Sequence, residues 1–96
     1  MYKIIILERA VLETKEAFEW YESKSVGLGK RFNAEVKKSI KLIRQQPDRY
    51  ALKNKSYREV HIKTFPYLVV YQINEISKEI SITSLFHTKR NPANKY

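Results

Sequence analysis

The chain has 96 residues, of which 43% are hydrophobic, 12% are aromatic and 30% are charged, and its formal net charge is +9. This length predicts one domain over residues 1–96, since a second core would lack apolar area, and the apolar content excludes a disordered chain despite the charge. Cysteine is absent, which excludes disulfides and thiolate metal sites, so neither a metal nor another cofactor is expected.

The N-terminal segment MYKIIILERA has an apolar run of only four residues before charges resume. Such a run is too short for a signal peptide or a membrane span, which predicts a cytoplasmic protein without membrane contact. Residues 2–7 are continuous and β-branched, which is typical of a strand buried on both faces. We therefore expect this strand inside a sheet and not at its edge.

Two amphipathic helices follow the strand. From Glu8, apolar residues recur at spacings of three and four, which predicts a helix that ends between Ser23 and Gly27. The only two glycines, Gly27 and Gly29, indicate the turn of a helical hairpin, because they tolerate positive φ. The second helix repeats the apolar stripe and is expected to stop before Pro47.

In the last third of the chain, side chains of alternate residues are predicted to face opposite sides of a sheet. Residues 48–56 lack periodicity and are expected to form a loop, whereas residues 57–63, 66–74 and 80–87 are expected to form three strands. In the last of these strands, the pattern places Ile80, Ile82 and Phe86 on one face. It places Thr83, Leu85 and His87 on the opposite face.

The predicted fold class is α+β. An N-terminal strand, a helical hairpin and a three-stranded antiparallel meander, in the order β-α-α-β-β-β, place the helices on one face of the sheet. The other face would stay uncovered although apolar residues lie on both sides of the central strand, which favours a binding protein.

The positive charge is distributed unevenly. Residues 8–24 carry five acids and three bases, a net charge of −2, whereas residues 28–47 carry six bases and one acid, and residues 48–96 carry nine bases and four acids, each a net +5. The basic surface is therefore expected on the second helix and the sheet, and it favours an acidic or phosphate-rich partner.

Arg58 is the first candidate site residue. A guanidinium binds a phosphate or a carboxylate with two hydrogen bonds. Strand parity, however, directs Arg58 toward the helices with Val60 and Ile62, where it would pair with a carboxylate such as Glu19 or Glu59. Both interpretations stay open.

The C-terminal residues supply the other candidates. His87 is predicted to face away from the helix-packed core, where its imidazole would either act as a general acid or base or bind the neighbouring loop. Lys89 and Arg90 would form a cationic rim together with Lys53, Lys55 and Lys63, although a solvated surface is the favoured interpretation for the lysines. Tyr96 is the last candidate, and the alternative is that it frays.

Several motifs together carry a family resemblance. They are Trp20-Tyr21 at the end of the first helix, Leu28-Gly29-Lys30-Arg31-Phe32 opening the second, Arg58, Phe65-Pro66-Tyr67, and the closing His87-Thr88-Lys89-Arg90-Asn91-Pro92. With these, the chain resembles the RelE/ParE superfamily of toxins from bacterial type II toxin-antitoxin modules nearly end to end. The resemblance implies a toxin that a cognate antitoxin neutralises.

The superfamily divides by target. The Phe-Pro-Tyr step and the closing H-x-x-R-x-P are closer to the ParE-like branch, which implies inhibition of DNA gyrase by protein binding, with Arg58, Lys63, His87, Lys89 and Arg90 in the target or antitoxin surface. The RelE-like alternative is a ribosome-dependent mRNA endoribonuclease. In it, Arg58, His87 and Arg90 would share the acid-base and charge-stabilising roles, and Tyr96 would be an acid-base or stacking group. An inactive antitoxin-binding or nucleic-acid-binding module is the remaining alternative.

Overall fold

A computed structural model describes residues 1–96 and contains two helices and one five-stranded sheet. The elements are β1 (Lys3–Ile6), α1 (Glu8–Lys24), α2 (Leu28–Gln45), β2 (Leu52–Asn54), β3 (Tyr57–His61), β4 (Tyr67–Asn74) and β5 (Glu79–His87), with short 3-10 helices at Pro47–Arg49 and Pro92–Asn94. The strand order is β1-β5-β4-β3-β2, and all neighbours are antiparallel except β1 and β5. The α+β class with a helical hairpin is confirmed.

β1 lies at an edge of the sheet, so the prediction of an internal strand is wrong. It pairs only with β5, from Lys3 opposite Glu79 to Ile6 opposite Ile82, and Ile6 is 46% exposed. A continuous apolar run reports that both faces of a strand are apolar, but it carries no information about how many neighbouring strands there are.

The segment between α2 and β3 is more regular than the predicted loop. It contains the 3-10 helix Pro47–Arg49 and the short strand β2, which pairs with β3 as the outer strand of a tight hairpin. All three residues of β2 are exposed, so this strand has no buried face that would require apolar residues at every second position. A strand without a buried face gives no signal of period two.

The helical hairpin depends on the two glycines for different reasons. Gly27 precedes α2 with φ of 88°, in the left-handed region. Gly29 lies so close to α1 that a Cβ there would be 2.7 Å from the backbone oxygen of Phe18. The Glu22 carboxylate accepts hydrogen bonds from the amides of Gly27, at 2.8 Å, and Gly29, at 2.9 Å, and thereby closes the turn.

Neither helix has the length and apolarity needed to cross a bilayer.

A β-bulge in β5 changes which side chains face the helices. Val70 pairs with Ser84, but the next residue of β4, Tyr71, pairs with Ile82, so Thr83 is an extra residue in β5. Because the side chains of a strand alternate, one inserted residue reverses the facing of every residue that follows. The predicted alternation therefore holds before Thr83 and fails after it.

The residues after the bulge correct two predictions. Leu85, and not Phe86, joins the core that the helices cover, while Phe86 is buried on the other face. His87, predicted to face away from the helices, lies on the helix side opposite Tyr67, with a ring-centroid distance of 4.9 Å. The bulge is the physical reason for both differences.

The C-terminal segment covers part of the face that the helices leave open. The Lys95 Nζ lies 3.0 Å from the Glu59 carboxylate and 5.4 Å from the centre of the Phe86 ring. Tyr96 packs on Tyr57 at a centroid distance of 4.7 Å and donates its hydroxyl to Glu59. The face that was expected to need a partner is therefore partly covered by the chain itself.

Candidate functional site

His87 and Arg90 line the same cavity, which has a volume of about 320 Å³. It lies between α1 and the ends of β4 and β5 that meet at Tyr67 and His87. The remaining lining residues, most of them on α1, are Glu13, Glu16, Ala17, Trp20, Tyr21 and Tyr67. We call this the α1–β5 cavity.

Local structure explains why these side chains converge. The residues that α1 contributes, from Glu13 to Tyr21, are mostly three or four apart and so share one side of the helix. Ala17 is buried and small, which leaves room between the helix and the sheet. The bulge turns His87 to this side, and the turn that follows, closed by the Arg90 amide bound to the His87 carbonyl at 3.0 Å, places Arg90 at the same cavity.

The charged groups of the cavity differ in their partners. The two carboxylate oxygens of Glu13 are occupied, since one accepts the Leu85 amide at 2.9 Å and the other accepts Arg9 Nε at 3.0 Å. Glu16 and Arg90 form no ion pair within the protein. The cavity thus offers one free carboxylate and one free guanidinium.

Both free charges affect the pKa of Tyr67. Burial raises the pKa of the Tyr67 hydroxyl, while the Arg90 guanidinium lowers it and the carboxylates of Glu16 and Glu13 raise it. Tyr67 therefore lies within electrostatic reach of both free groups, and its hydroxyl stays protonated at neutral pH.

The imidazole of His87 has a defined tautomer. Its Nδ1 accepts the backbone amide of Lys89 at 3.0 Å, so the neutral ring carries its proton on Nε2. The basic nitrogen is thereby engaged, and the ring presents an N–H donor. This arrangement suits ligand binding better than proton abstraction.

Arg58 is paired inside the protein. Its Nη1 donates to the backbone oxygen of Tyr50, its Nη2 lies 3.7 Å from the Asp48 carboxylate, and its side chain is 18% exposed. Parity correctly predicted that it faces the helices, but the acidic partner is Asp48 and neither Glu19 nor Glu59. The 3-10 helix Pro47–Arg49, which has no sequence periodicity, brings Asp48 there.

The other predicted site residues do not join Arg58. Arg58 lies opposite Tyr71 and His87 opposite Tyr67, four residues apart on β4, which is about 13 Å along the strand. Tyr96 lies on the other face, where burial and the bond to Glu59 raise its pKa to about 12. Lys63 and Lys89 are exposed.

Sequence reasoning missed the contribution of α1 to this site. Glu13 and Glu16 lie outside the apolar stripe that predicts α1, and Trp20 belongs only to a family motif. Their spacing places them on one side of α1 together with Ala17, a small residue among large ones. That combination is the signal that could have indicated a cavity.

A second, apolar groove lies between α1, α2 and the sheet. Its volume is about 390 Å³, and nine of its 13 lining residues are hydrophobic, among them Val11, Phe18 and Ile40. Lys15 and Lys37 also line it, and the Asn33 Oδ1 atom is buried without a hydrogen-bond partner. We call this the hairpin groove.

Comparisons with known proteins assign the chain to a family. Residues 4–92 match the family described as the ParE toxin of the type II toxin-antitoxin system parDE. No curated protein matches the chain.

Solved structures share the fold at low sequence identity. The chromosomal ParDE system from P. aeruginosa matches with a TM-score of 0.74 and 16% identity over 93% of this chain and 98% of that one. The isolated E. coli RelE toxin matches with a TM-score of 0.71 and 18% identity over 97% and 90%, and the intact E. coli RelBE complex with 0.73 and 18% over 94% and 100%. These likenesses show the fold, and with the family match over residues 4–92 the chain belongs to the ParE toxin family of type II toxin-antitoxin systems.

Proposed function

We propose that this protein is the toxin of a type II toxin-antitoxin module, that it inhibits DNA gyrase in the cytoplasm by protein binding, and that a cognate antitoxin neutralises it. The observation that carries the proposal is the match to the ParE toxin family over residues 4–92. A fold shared with both ParDE and RelE proteins is compatible with either target, so the choice rests on the family and on the site chemistry.

The separation of the acid-base candidates favours protein binding over RNA cleavage. Cleavage by a 2′-hydroxyl needs a base, an acid and a cation within hydrogen-bond reach of one phosphate. Here Arg58 is paired with Asp48, His87 lies by α1 with its basic nitrogen bound to Lys89, and Tyr96 is bound to Glu59 on the other face.

The hairpin groove is the surface we assign to the antitoxin. An apolar side chain of the partner would fill the groove, a donor would satisfy Asn33 Oδ1, and flanking acids would pair with Lys15 and Lys37. Solved complexes of this fold, such as the intact RelBE complex, contain an antitoxin. The expected segment is therefore an acidic, amphipathic helix.

Two assays on the purified toxin separate the possible targets. We expect inhibition of gyrase supercoiling, and no cleavage of translated mRNA in a toeprinting assay. Cleavage at codons in the ribosomal A site with supercoiling unaffected would overturn the proposal in favour of the endoribonuclease. Inactivity in both assays, together with tight antitoxin binding, would overturn it in favour of an inactive module.

Two arginine variants test which cation acts on the target. Arg90→Ala should lower gyrase inhibition without loss of stability, since the Arg90 side chain has no ion pair to lose. Arg58→Ala, in contrast, should lower the stability of the fold, since it leaves the Tyr50 carbonyl and Asp48 without their partner. Lys41→Ala is the matched control, since Lys41 is exposed on α2, forms no ion pair and lines neither the α1–β5 cavity nor the hairpin groove.

A further inference from the structure

We propose that the α1–β5 cavity binds a guanine base, carried either by a free guanine nucleotide or by an unpaired nucleotide of a nucleic acid. The volume of about 320 Å³ lies at the lower end of the range for small-ligand pockets, roughly 300–1,000 Å³. This inference does not depend on the cellular target of the toxin.

The cavity has aromatic walls suited to a planar ligand. Trp20, Tyr67 and His87 all line it, and Trp20 is 56% exposed although it is the only tryptophan of the chain. Tyr67 and His87 hold each other in a T-shaped pair with an interplanar angle of 79°. Unpaired bases are commonly bound by stacking on such rings.

The free carboxylate of Glu16 and the free guanidinium of Arg90 distinguish guanine from the other bases. Guanine has N–H donors at N1 and N2 on one edge and acceptors at O6 and N7 on another. The Glu16 carboxylate can accept the donor edge, and the Arg90 guanidinium can donate to the acceptor edge. Adenine carries a donor where guanine has O6, and neither pyrimidine offers both edges.

A protein side chain fits the same charges less well. An acidic side chain would meet Glu13 and Glu16, and a basic one would meet Arg90. An apolar side chain would remove water from Glu16 and Arg90 without replacing its hydrogen bonds, which is unfavourable. A ligand that is neutral and planar, with donors on one edge and acceptors on the adjacent edge, satisfies both charged groups.

The phosphate of a nucleotide would also find a partner. Lys89 follows His87 by two residues, precedes Arg90 and is exposed, so it is available to a phosphate group. The His87 Nε2–H supplies one more donor within the cavity. A contact with Lys89 would make binding sensitive to salt, and more so for a polynucleotide.

Trp20 makes binding directly measurable through its fluorescence. We expect saturable quenching when the purified protein is titrated with GMP, and an apparent affinity at least about tenfold weaker for AMP, CMP and UMP, because one bidentate base contact is lost. Free N-acetyltryptophanamide, titrated in parallel, corrects for absorption by the nucleotides.

Single substitutions test the two charged contacts. Glu16→Gln and Arg90→Ala should each weaken GMP binding about tenfold or more. Glu19→Gln is the matched control, since Glu19 is exposed on the same helix and does not line the cavity. The wild-type preference among the four nucleotides tests the proposal independently of how any variant folds.

A single-stranded oligonucleotide with one guanine among uracils distinguishes the two sources of the base. Tighter binding than GMP, with strong salt dependence, would support an unpaired nucleotide, and equal or weaker binding would support a free nucleotide. Absence of saturation by GMP and by the oligonucleotide up to about 1 mM, or equal quenching by all four nucleotides, would overturn the proposal. Displacement of GMP only by a charged peptide, with no preference among bases, would assign the cavity to a protein partner instead.

Discussion

The carboxylate of Glu13 accepts a hydrogen bond from the backbone amide of Leu85, with 2.9 Å between oxygen and nitrogen. β1 covers the outer edge of β5 only as far as Ile82, whose carbonyl binds the amide of Leu7. Beyond that point the edge of β5 has no neighbouring strand, and a side chain from α1 supplies the missing acceptor. β1 therefore covers the first part of the β5 edge, and α1 covers the next part through Glu13.

This bond predicts a clear effect on stability. Glu13→Ala should lower the free energy of unfolding by about 1–3 kcal/mol, because the partly buried Leu85 amide loses its acceptor. Urea denaturation followed by circular dichroism measures the change. Glu19→Ala, on the exposed side of the same helix, should change stability by less than about 0.5 kcal/mol. Equal effects of the two substitutions would contradict the role given to Glu13.

A second prediction concerns the buried hydroxyl of Tyr71, which donates to the Pro47 carbonyl at 2.7 Å. Burial raises its pKa to about 12, so it remains a donor through the neutral range. Tyr71→Phe should cost about 1–3 kcal/mol, since the Pro47 carbonyl is left without that donor.

The matched control for this prediction is Tyr67→Phe. The Tyr67 hydroxyl lines the α1–β5 cavity and donates to no group of the protein, so its removal should change stability by less than about 0.5 kcal/mol. Thermal unfolding of both variants gives the comparison. A larger loss at Tyr67 than at Tyr71 would refute the assignment.

The helices were predictable because their signals are local. Apolar residues at helical spacing, the glycines at 27 and 29, and Pro47 act within a few residues of the boundaries that they set. The position of His87 was not predictable in this way. In the segment ISITSLFH the alternation of apolar and polar residues breaks at Thr83 and Ser84, but pairing with β4 decides which residue is the extra one, and parity within one strand does not report this.

The site was predictable only in part for a similar reason. The family motif indicated His87 and Arg90, and the structure brings these two together. Their neighbours Glu16 and Trp20 come from a helix some 70 residues earlier in the chain, as the long-range hydrogen bond from the Leu85 amide to the Glu13 carboxylate illustrates. Arg58 lies about 13 Å from His87 along β4 and is paired with Asp48 of the 3-10 helix.

A third prediction separates the two glycines. Gly29→Ala should destabilise the protein by about 2–3 kcal/mol, because the added Cβ would lie 2.7 Å from the Phe18 carbonyl, a backbone atom that cannot move alone. Gly27→Ala should cost about 1–2 kcal/mol, from positive φ alone, since nothing lies within 4 Å of its Cβ position.

Asparagine distinguishes the two causes. Because it tolerates the left-handed region, Gly27→Asn should be milder than Gly27→Ala, whereas Gly29→Asn should be at least as severe as Gly29→Ala. Urea midpoints of the four variants provide the measurement. If asparagine helps at both positions, close packing at Gly29 is not the cause.

The last prediction concerns the acid side of the stability profile. The hydrogen bond from the Gly27 amide is the largest effect that lowers the pKa of Glu22 below its ordinary value of 4.5, and the Gly29 amide adds to it, while desolvation opposes both. Near that pH the unfolded chain therefore binds more protons at Glu22 than the folded protein does, and stability rises with pH. The contribution is fully present above about pH 4.5 and is lost as the pH falls through the lowered value.

Glu22→Gln should accordingly be less stable than the wild type at neutral pH and should lose less stability on acidification. Urea midpoints measured from pH 7 down to pH 3 test this, with Glu19→Gln as a control that retains the wild-type profile. An unchanged slope in Glu22→Gln would assign the acid sensitivity to another carboxylate. Glu75 is then the next group to replace, since the hydrogen bond from the Tyr2 hydroxyl is the main cause that lowers its pKa.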